Sequence, residues 1–262
     1  MKPTVSVLMS VLNQAEYLAS SLHSILTQTF TSFEFIIVND ASNPKTLKCL
    51  KQYPDNRIKI IHNPKRLGLA RSLNRGLKFC RGIYIARMDA DDIALPHRLK
   101  VQVDYLTKHP HIAGCGSAAA IIDRQGKKLG IKKFPAPTTK LKSVIMRYSP
   151  FIHPTMMLRK KVFDAMGGYN ATFNGAEDYD LWLRTLPIFD LVNLPQVLLM
   201  YRVHPQSVSW GSLKQVERQA LRARVNALRH HQYPLWQSLF LVKPSLSFLV
   251  PQSIKKLIFH VS

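Results

Sequence analysis

The feature that most constrains this chain is a rhythm. From residue 5 to residue 92, short β-branched apolar runs alternate with stretches whose apolar residues recur at helical spacing. Residues 5–12 predict a strand, and Ala15, Leu18, Leu22, Ile25 and Leu26 mark a helix over 14–28. A second strand over 33–38 closes on Asn39-Asp40. A helix over 44–53, a strand over 57–62 and a helix over 69–79 follow. The fourth strand, 82–88, closes on Asp89. Strands separated by helices predict a parallel, doubly wound α/β sheet. The rhythm then fades. Residues 112–123 form a strand rich in small side chains. Residues 124–142, dense in lysine and broken by Pro135 and Pro137, predict a loop or edge hairpin. A short strand over 155–158, a helix over 178–186 and an extended segment over 191–203 complete the body. A helix over 212–230 then exposes Arg218, Arg222, Arg224 and Arg229.

Charge narrows the partners. Lys and Arg number 37 against 15 Asp and Glu, a net charge of +22, which favours an anionic partner. Cys49, Cys80 and Cys115 are widely spaced with no CxxC, so a disulfide scaffold and a zinc ribbon are excluded and a reducing compartment is expected. No stretch reaches the roughly 18 apolar residues of a spanning helix. The opening residues run into Asn13 and Glu16, which favours a buried first strand over a signal peptide and predicts a cytoplasmic location.

Acids are scarce, so their placement is informative. Seven of the 15 fall in three motifs: Asp40; Asp89, Asp91 and Asp92; Glu177, Asp178 and Asp180. The first two follow predicted parallel strands, where open α/β sheets form their ligand crevice. Asp89 and Asp91 are hard oxygen ligands spaced for Mg²⁺ or Mn²⁺ beside a diphosphate. Asp91 or Asp92 serves equally as the N-cap of a helix beginning near Ile93. Glu177 and Asp178 open a helix whose dipole favours the ionised form, as a general base requires, and dipole compensation alone is the alternative. Asp40 fits a base-ring N–H or a plain turn. Arg71 and Asn74 are placed to face the crevice, whereas Lys65, Arg75 and Lys78 suit a solvated helix face. His153 and His204 sit at predicted strand ends.

Six segments carry a further signal: 5–18 (V-S-V-L-M-S-V-L-N-Q-A-E-Y-L), 38–42 (V-N-D-A-S), 63–76, 88–92 (M-D-A-D-D), 175–184 (G-A-E-D-Y-D-L-W-L-R) and 201–209. In this order they resemble the family-2 glycosyltransferases of the GT-A fold, bacterial polysaccharide and lipopolysaccharide type. The resemblance implies a mixed, mostly parallel Rossmann-like sheet in a domain over 1–210. Residues 1–110 would be its nucleotide-sugar half and 111–210 its acceptor half, followed by a basic helical tail over 211–262. It also implies roles. Leu12 and Glu16 line the nucleotide pocket, Asp40 accepts from a uracil ring, and Arg71 lies near ribose or phosphates. Asp89 and Asp91 hold Mn²⁺ or Mg²⁺, Asp89 also reaching ribose. Glu177 orients the acceptor, Asp178 is the general base, Arg184 lies on the substrate side, and His204 approaches metal or diphosphate. The implied reaction is inverting transfer from a nucleotide-sugar donor, with UDP as nucleotide, to a glycan or lipid-linked acceptor.

Three departures sharpen this. Asn39 stands where the family often has Asp. Ala41 replaces the turn glycine, so that turn is expected to avoid positive φ. A Q-x-x-R-W segment and following membrane helices, the marks of processive synthases, are absent from the sequence, which predicts non-processive transfer. The apolar, aromatic run over 235–250, followed by Lys255-Lys256, suggests contact with an anionic membrane surface; the alternative is a helix packed on the core through Leu239, Phe240 and Leu246. Two other classes compete. A sugar-phosphate nucleotidyltransferase would carry a Gly-rich N-terminal phosphate loop, but residues 5–16 hold no Gly. A nucleic-acid-binding protein would show a recognition signature, and none is visible.

Overall fold

The computed structural model describes residues 2–204, 213–230 and 233–242. The end of the sixth motif (205–209) and the tail beyond residue 242, with Leu246 and Lys255-Lys256, lie outside the described residues. The predicted rhythm becomes β1 (Val5–Val11), α1 (Ala15–Leu26), β2 (Phe33–Asn39), α2 (Pro44–Lys51), β3 (Ile58–His62), α3 (Leu69–Leu77) and β4 (Tyr84–Met88). Then come β5 (Ile93–Ala94), α4 (Arg98–Lys108), β6 (Ile112–Ile122), β7 (Lys128–Lys132) and α5 (Thr138–Val144). The body ends with β8 (Met157–Arg159), α6 (Lys160–Met166), α7 (Glu177–Thr185), β9 (Asp190–Arg202) and α8 (Leu213–Arg229). The sheet order is β3-β2-β1-β4-β8-β6-β9-β5, with β7 on β6. The longest ladders, β1–β2 and β6–β9, are parallel, whereas β8 pairs antiparallel to β4 and β6.

Both faces of the sheet are covered, and alternation assigns each residue to a face. Along β1, Leu8 joins the core under α3 and α7, while Val7 and Met9 join the core under α1 and α4. Gly76 lets α3 lie close to the sheet: a Cβ there would meet Leu8 Cδ1 at 2.4 Å and Val38 Cγ2 at 2.8 Å. The C-terminal helix belongs to the same core. Ala223, Ala227 and Leu228 of α8 are buried with α7 residues, and Tyr233 donates to the Leu183 carbonyl at 2.9 Å.

The structure corrects several expectations. No helix begins near Ile93. Ile93–Ala94 pairs with β9 instead, and the helix starts at Arg98. Asp91 and Asp92 are therefore not its caps. α4 and α6 were not expected: α6 is short, and α4 carries a narrow apolar stripe, Leu99, Val103 and Leu106, beside buried Arg98 and Gln102. Part of the segment read as loop or hairpin, 124–142, is helix α5, while β7 is the edge hairpin. Arg224 is buried rather than exposed. Its Nε donates to the Tyr179 hydroxyl at 2.7 Å and its Nη2 to the Arg147 carbonyl at 2.9 Å. Phe240 packs on the core, while Leu239 is 69% exposed. Ala41 does adopt positive φ, at 56°, as does Asn13 at 55°. Interlocked strand ends hold it there: Asp40 N donates to the Val11 carbonyl (2.9 Å), Ser42 N to Asn39 Oδ1 (3.1 Å) and Asn43 N to Asn13 Oδ1 (2.8 Å).

Candidate active site

β2 and β4 flank β1, all three parallel, so Asp40 and Asp89 emerge at one sheet edge about two strand spacings, ~10 Å, apart. Asp40 is buried and well satisfied. Its Oδ1 accepts from Asn63 Nδ2 (2.7 Å) and Leu67 N (2.7 Å), and its Oδ2 from Gly68 N (2.9 Å). Burial alone would raise its pKa, but these donors, with Ser72, outweigh it and hold the carboxyl below its ordinary value. It therefore shapes the loop leading into α3. Arg71 on α3 is exposed, and Leu12 is half-buried. Glu16 is exposed and lies 3.7 Å from Arg124.

The second acidic motif is different. Asp89, Asp91 and Asp92 offer carboxylate oxygens within 4.8 Å of one another. Asp92 is fully buried, and its Oδ1 accepts from Arg202 N at 2.8 Å. Its Oδ2 is buried without a hydrogen-bond partner. Burial, then repulsion from Asp91 and Asp89, pushes Asp92 well above the usual carboxylate range. Burial and Asp89 likewise raise Asp91, against a hydrogen bond from His204. An orphaned oxygen and mutually repelling hard donors fit a divalent cation of the Mg²⁺ or Mn²⁺ type. His204 Nε2 lies 2.9 Å from Asp91 Oδ2 and orients that carboxylate.

The third motif opens α7. Glu177 Oε2 accepts from Gly175 N (2.6 Å) and Asp178 Oδ1 from Tyr179 N (2.7 Å). The helix start was expected to favour ionised carboxylates. Instead burial, then repulsion from Glu177, lifts Asp178 to about 7, and burial raises Glu177 too. Desolvation outweighs the dipole here, leaving Asp178 poised near neutrality. Arg184 braces the preceding turn: it reaches Asp180 (2.8 Å) and the carbonyls of Met166 (2.6 Å) and Gly168 (2.9 Å).

Three buried arginines, given no role from the sequence, join these motifs. Arg87 Nη2 donates to Asp89 Oδ1 at 2.5 Å, and its charge also lowers Glu177 and Asp178. The second and third motifs therefore share one cation. Arg98 Nη2 donates to the Arg87 carbonyl at 2.7 Å. Arg202 ties the Asp91 carbonyl (2.8 Å) to those of Asp123 and Arg124 (both 2.9 Å). An arginine inside the apolar strand Y-I-A-R-M is the signal that could have found Arg87, since a buried guanidinium needs carboxylate partners.

Other expected residues serve the scaffold. Asn74 clamps the Tyr169 backbone through its amide (2.7 and 2.8 Å). Arg75 is half-buried and donates to Asn63 Oδ1 at 2.9 Å. His153 lies in a 3-10 turn, bonded to the Tyr169 hydroxyl at 2.9 Å. Two surface cavities, of about 490 and 530 Å³, lie elsewhere: one is lined by Lys2, Arg81 and Lys161, the other by α2 and β3.

With this geometry in hand, a model of Glycosyl transferase family 2 matches residues 6–167. The chain is a family-2 glycosyltransferase. The O-antigen biosynthesis glycosyltransferase WbnJ of Escherichia coli is 36% identical over 220 residues, 81% of this chain and 85% of that protein. The amylovoran biosynthesis glycosyltransferase AmsE of Erwinia amylovora is 30% identical over 264 residues, 97% of each. Staphylococcus aureus TarS 1–349, solved in complex with UDP-GlcNAc, superposes with a TM-score of 0.73 at 18% identity, over 91% of this transferase and 70% of that chain. The mannosyltransferase PcManGT of Pyrobaculum calidifontis, solved with GDP-Man and Mn²⁺, gives 0.64 at 15% identity, over 100% of this transferase and 80% of that chain. These likenesses show the GT-A fold. The family match favours the transferase over the nucleotidyltransferase and nucleic-acid readings. No described helix is long and apolar enough to cross a membrane.

Proposed function

We propose that this transferase moves one sugar per event, with inversion, from a nucleotide-diphosphate sugar to a hydroxyl of a glycan or lipid-linked acceptor in envelope polysaccharide assembly. UDP is the favoured nucleotide. The observation that carries this is the convergence on Arg87 of the D-A-D-D motif and the Glu177-Asp178 pair.

Residues 1–110 supply the donor side and 111–210 the acceptor side. Leu12, Glu16 and Arg71 border the donor, and Asp40 fixes the 63–68 loop there. Asp89 and Asp91 would hold Mn²⁺ or Mg²⁺, with His204 orienting Asp91. Such a cation supplies Lewis-acid stabilisation of charge on the departing diphosphate. Asp178 accepts the proton of the acceptor hydroxyl as that oxygen attacks the anomeric carbon from the face opposite the nucleotide. Glu177 orients the acceptor. The raised pKa of Asp178 supports this role, because a base titrating near 7 combines ionisation with proton affinity at neutral pH.

The setting we propose is the cytoplasm, with peripheral contact at the inner face of the membrane. The basic sequence over 211–262 is one contributor, although α8 itself is built into the core. The relatives named for O-antigen and amylovoran biosynthesis support an envelope glycan as product class. The test is a thermal-shift screen of UDP-, GDP- and dTDP-sugars with Mn²⁺, then determination of the anomeric configuration of the product. Metal-dependent stabilisation by UDP-sugars and an inverted product are expected. A retained configuration would sink the mechanism.

A further inference from the structure

The β6–β7 hairpin has a composition the transfer reaction does not use. Its sequence over 127–133 is K-K-L-G-I-K-K. Lys127, Lys128 and Lys133 are exposed, whereas the Lys132 ammonium lies over the Phe134 ring, 5.3 Å from its centroid, where burial lowers its pKa; none of the four pairs with a carboxylate among the described residues. Asp123 is occupied by the turn, accepting from the backbone N–H groups of Gln125 and Lys127 at 3.0 and 2.9 Å. Between the lysines, Leu129 is 59% and Ile131 48% exposed. The register explains Leu129. Gly130 pairs with Ile121 and Lys128 with Ile122, so Leu129 is the extra residue of a β-bulge, a device that re-aims a side chain.

Lysines often guard an exposed sheet edge against pairing. Edge protection would account for the charge. It does not account for two apolar side chains set among the lysines, since these make the same edge more adhesive. Apolar groups flanked on both sides by cations instead suit the interface of an anionic bilayer, with carbon entering the acyl boundary and ammonium groups meeting phosphates.

The position also fits. The turn of the hairpin is held by Arg202, whose side chain binds the Asp123, Arg124 and Asp91 carbonyls. A surface touching this hairpin therefore lies next to the rim of the metal-binding motif.

We propose that the β6–β7 hairpin is a membrane-contact element, in which Leu129 and Ile131 enter the interfacial layer of an anionic leaflet while Lys127, Lys128 and Lys133 engage lipid phosphates. It deepens the reading of a membrane-presented acceptor and rests on it for purpose, but its test does not require turnover. It also differs from the tail contact, because it lies on the sheet.

Flotation of the full chain with phosphatidylglycerol–phosphatidylcholine vesicles, and with phosphatidylcholine alone, decides it. The parent protein is expected to float with the anionic vesicles only, and less as salt rises. Lys127→Glu/Lys128→Glu is expected to weaken partitioning by at least about twentyfold. Leu129→Ser/Ile131→Ser is expected to weaken it about tenfold at unchanged net charge. All four positions are solvent-facing, so unchanged melting curves verify folding. If both double variants float like the parent, or the parent does not float, the proposal fails. Loss of flotation only in Lys255→Glu/Lys256→Glu would assign the contact to the tail and overturn the hairpin. Sedimentation that shows a dimer dissolved by Leu129→Ser/Ile131→Ser, with flotation intact, would assign the edge to a second copy of the chain and equally overturn it. Transfer to a water-soluble acceptor should be unaffected in the hairpin variants, which separates failure here from failure of the catalytic reading.

Discussion

Two buried acidic sites stand at the same sheet edge and behave in opposite ways. Asp40, at the end of β2, is surrounded by N–H donors and is held below the ordinary carboxylate range despite burial. Asp91 and Asp92, beyond β4, and Asp178, at the start of α7, are pushed upward, first by burial and then by their acidic neighbours: Asp89 beside Asp91 and Asp92, and Glu177 beside Asp178. The first site is electrostatically complete, since its hydrogen bonds replace the water lost on folding. The second depends on Arg87, Arg202 and His204, and burial still outweighs them. Incompleteness of this kind is expected where a cation or a mobile proton belongs.

The contrast can be broken at several strengths. The largest effect should come from Asp91→Ala, which is expected to lower transfer by at least about a thousandfold and abolish metal-dependent nucleotide binding, read by titration with and without Mn²⁺. Asp178→Asn should lower transfer by at least about a hundredfold while leaving nucleotide binding nearly intact. Full activity in either variant contradicts its assigned role.

A pH series sharpens the comparison. As the proposed base, Asp178 would have to be ionised to act, and its pKa is lifted to about 7, so kcat/KM should fall about tenfold per unit below that point. Stability runs the other way. A carboxyl raised from 3.8 to about 7 contributes stability that is full below pH 3.8 and is lost as pH rises through 7. In metal-free protein, Asp178→Asn should therefore flatten the decline between pH 4 and 7, measured by denaturant unfolding.

Smaller effects belong to the complete site. Asp40→Asn removes charge-assisted hydrogen bonds to Leu67 and Gly68 and should cost about 2 kcal/mol of stability. It should leave the response to Mn²⁺ unchanged. Ala41→Gly relieves a left-handed alanine and should add about 1 kcal/mol, a rise of a few degrees in Tm.

Much of this was legible before any coordinates. Apolar period and strand-end aspartates placed β1 to β4 and the first two acidic motifs on one edge, because periodicity and strand polarity are local properties of the chain. α4 gives only a narrow apolar stripe, Leu99, Val103 and Leu106, and its buried face is shared with Arg98 and Gln102, which dilutes the signal. Arg224 looked solvated for the same reason: its partners, Tyr179 and the Arg147 carbonyl, lie far away in sequence. Ala41 shows tertiary override, since the hydrogen bonds around Asn13, Asn39 and Ser42 fix a backbone that local preference disfavours. The pKa of Asp178 was misjudged because a helix start is visible in a sequence, whereas its desolvation is a property of the assembled core.

β1 is bonded on both sides, to β2 and to β4, along most of its length. The end of β2 cannot approach or leave the end of β4 without breaking those ladders. The interval between Asp40 and Asp89 is therefore a fixed ruler, and under the proposed donor placement loop substitutions would change which base is gripped but not how long a molecule fits. We expect sugars linked through two phosphates to remain preferred over those linked through one, even in variants whose base preference has been altered.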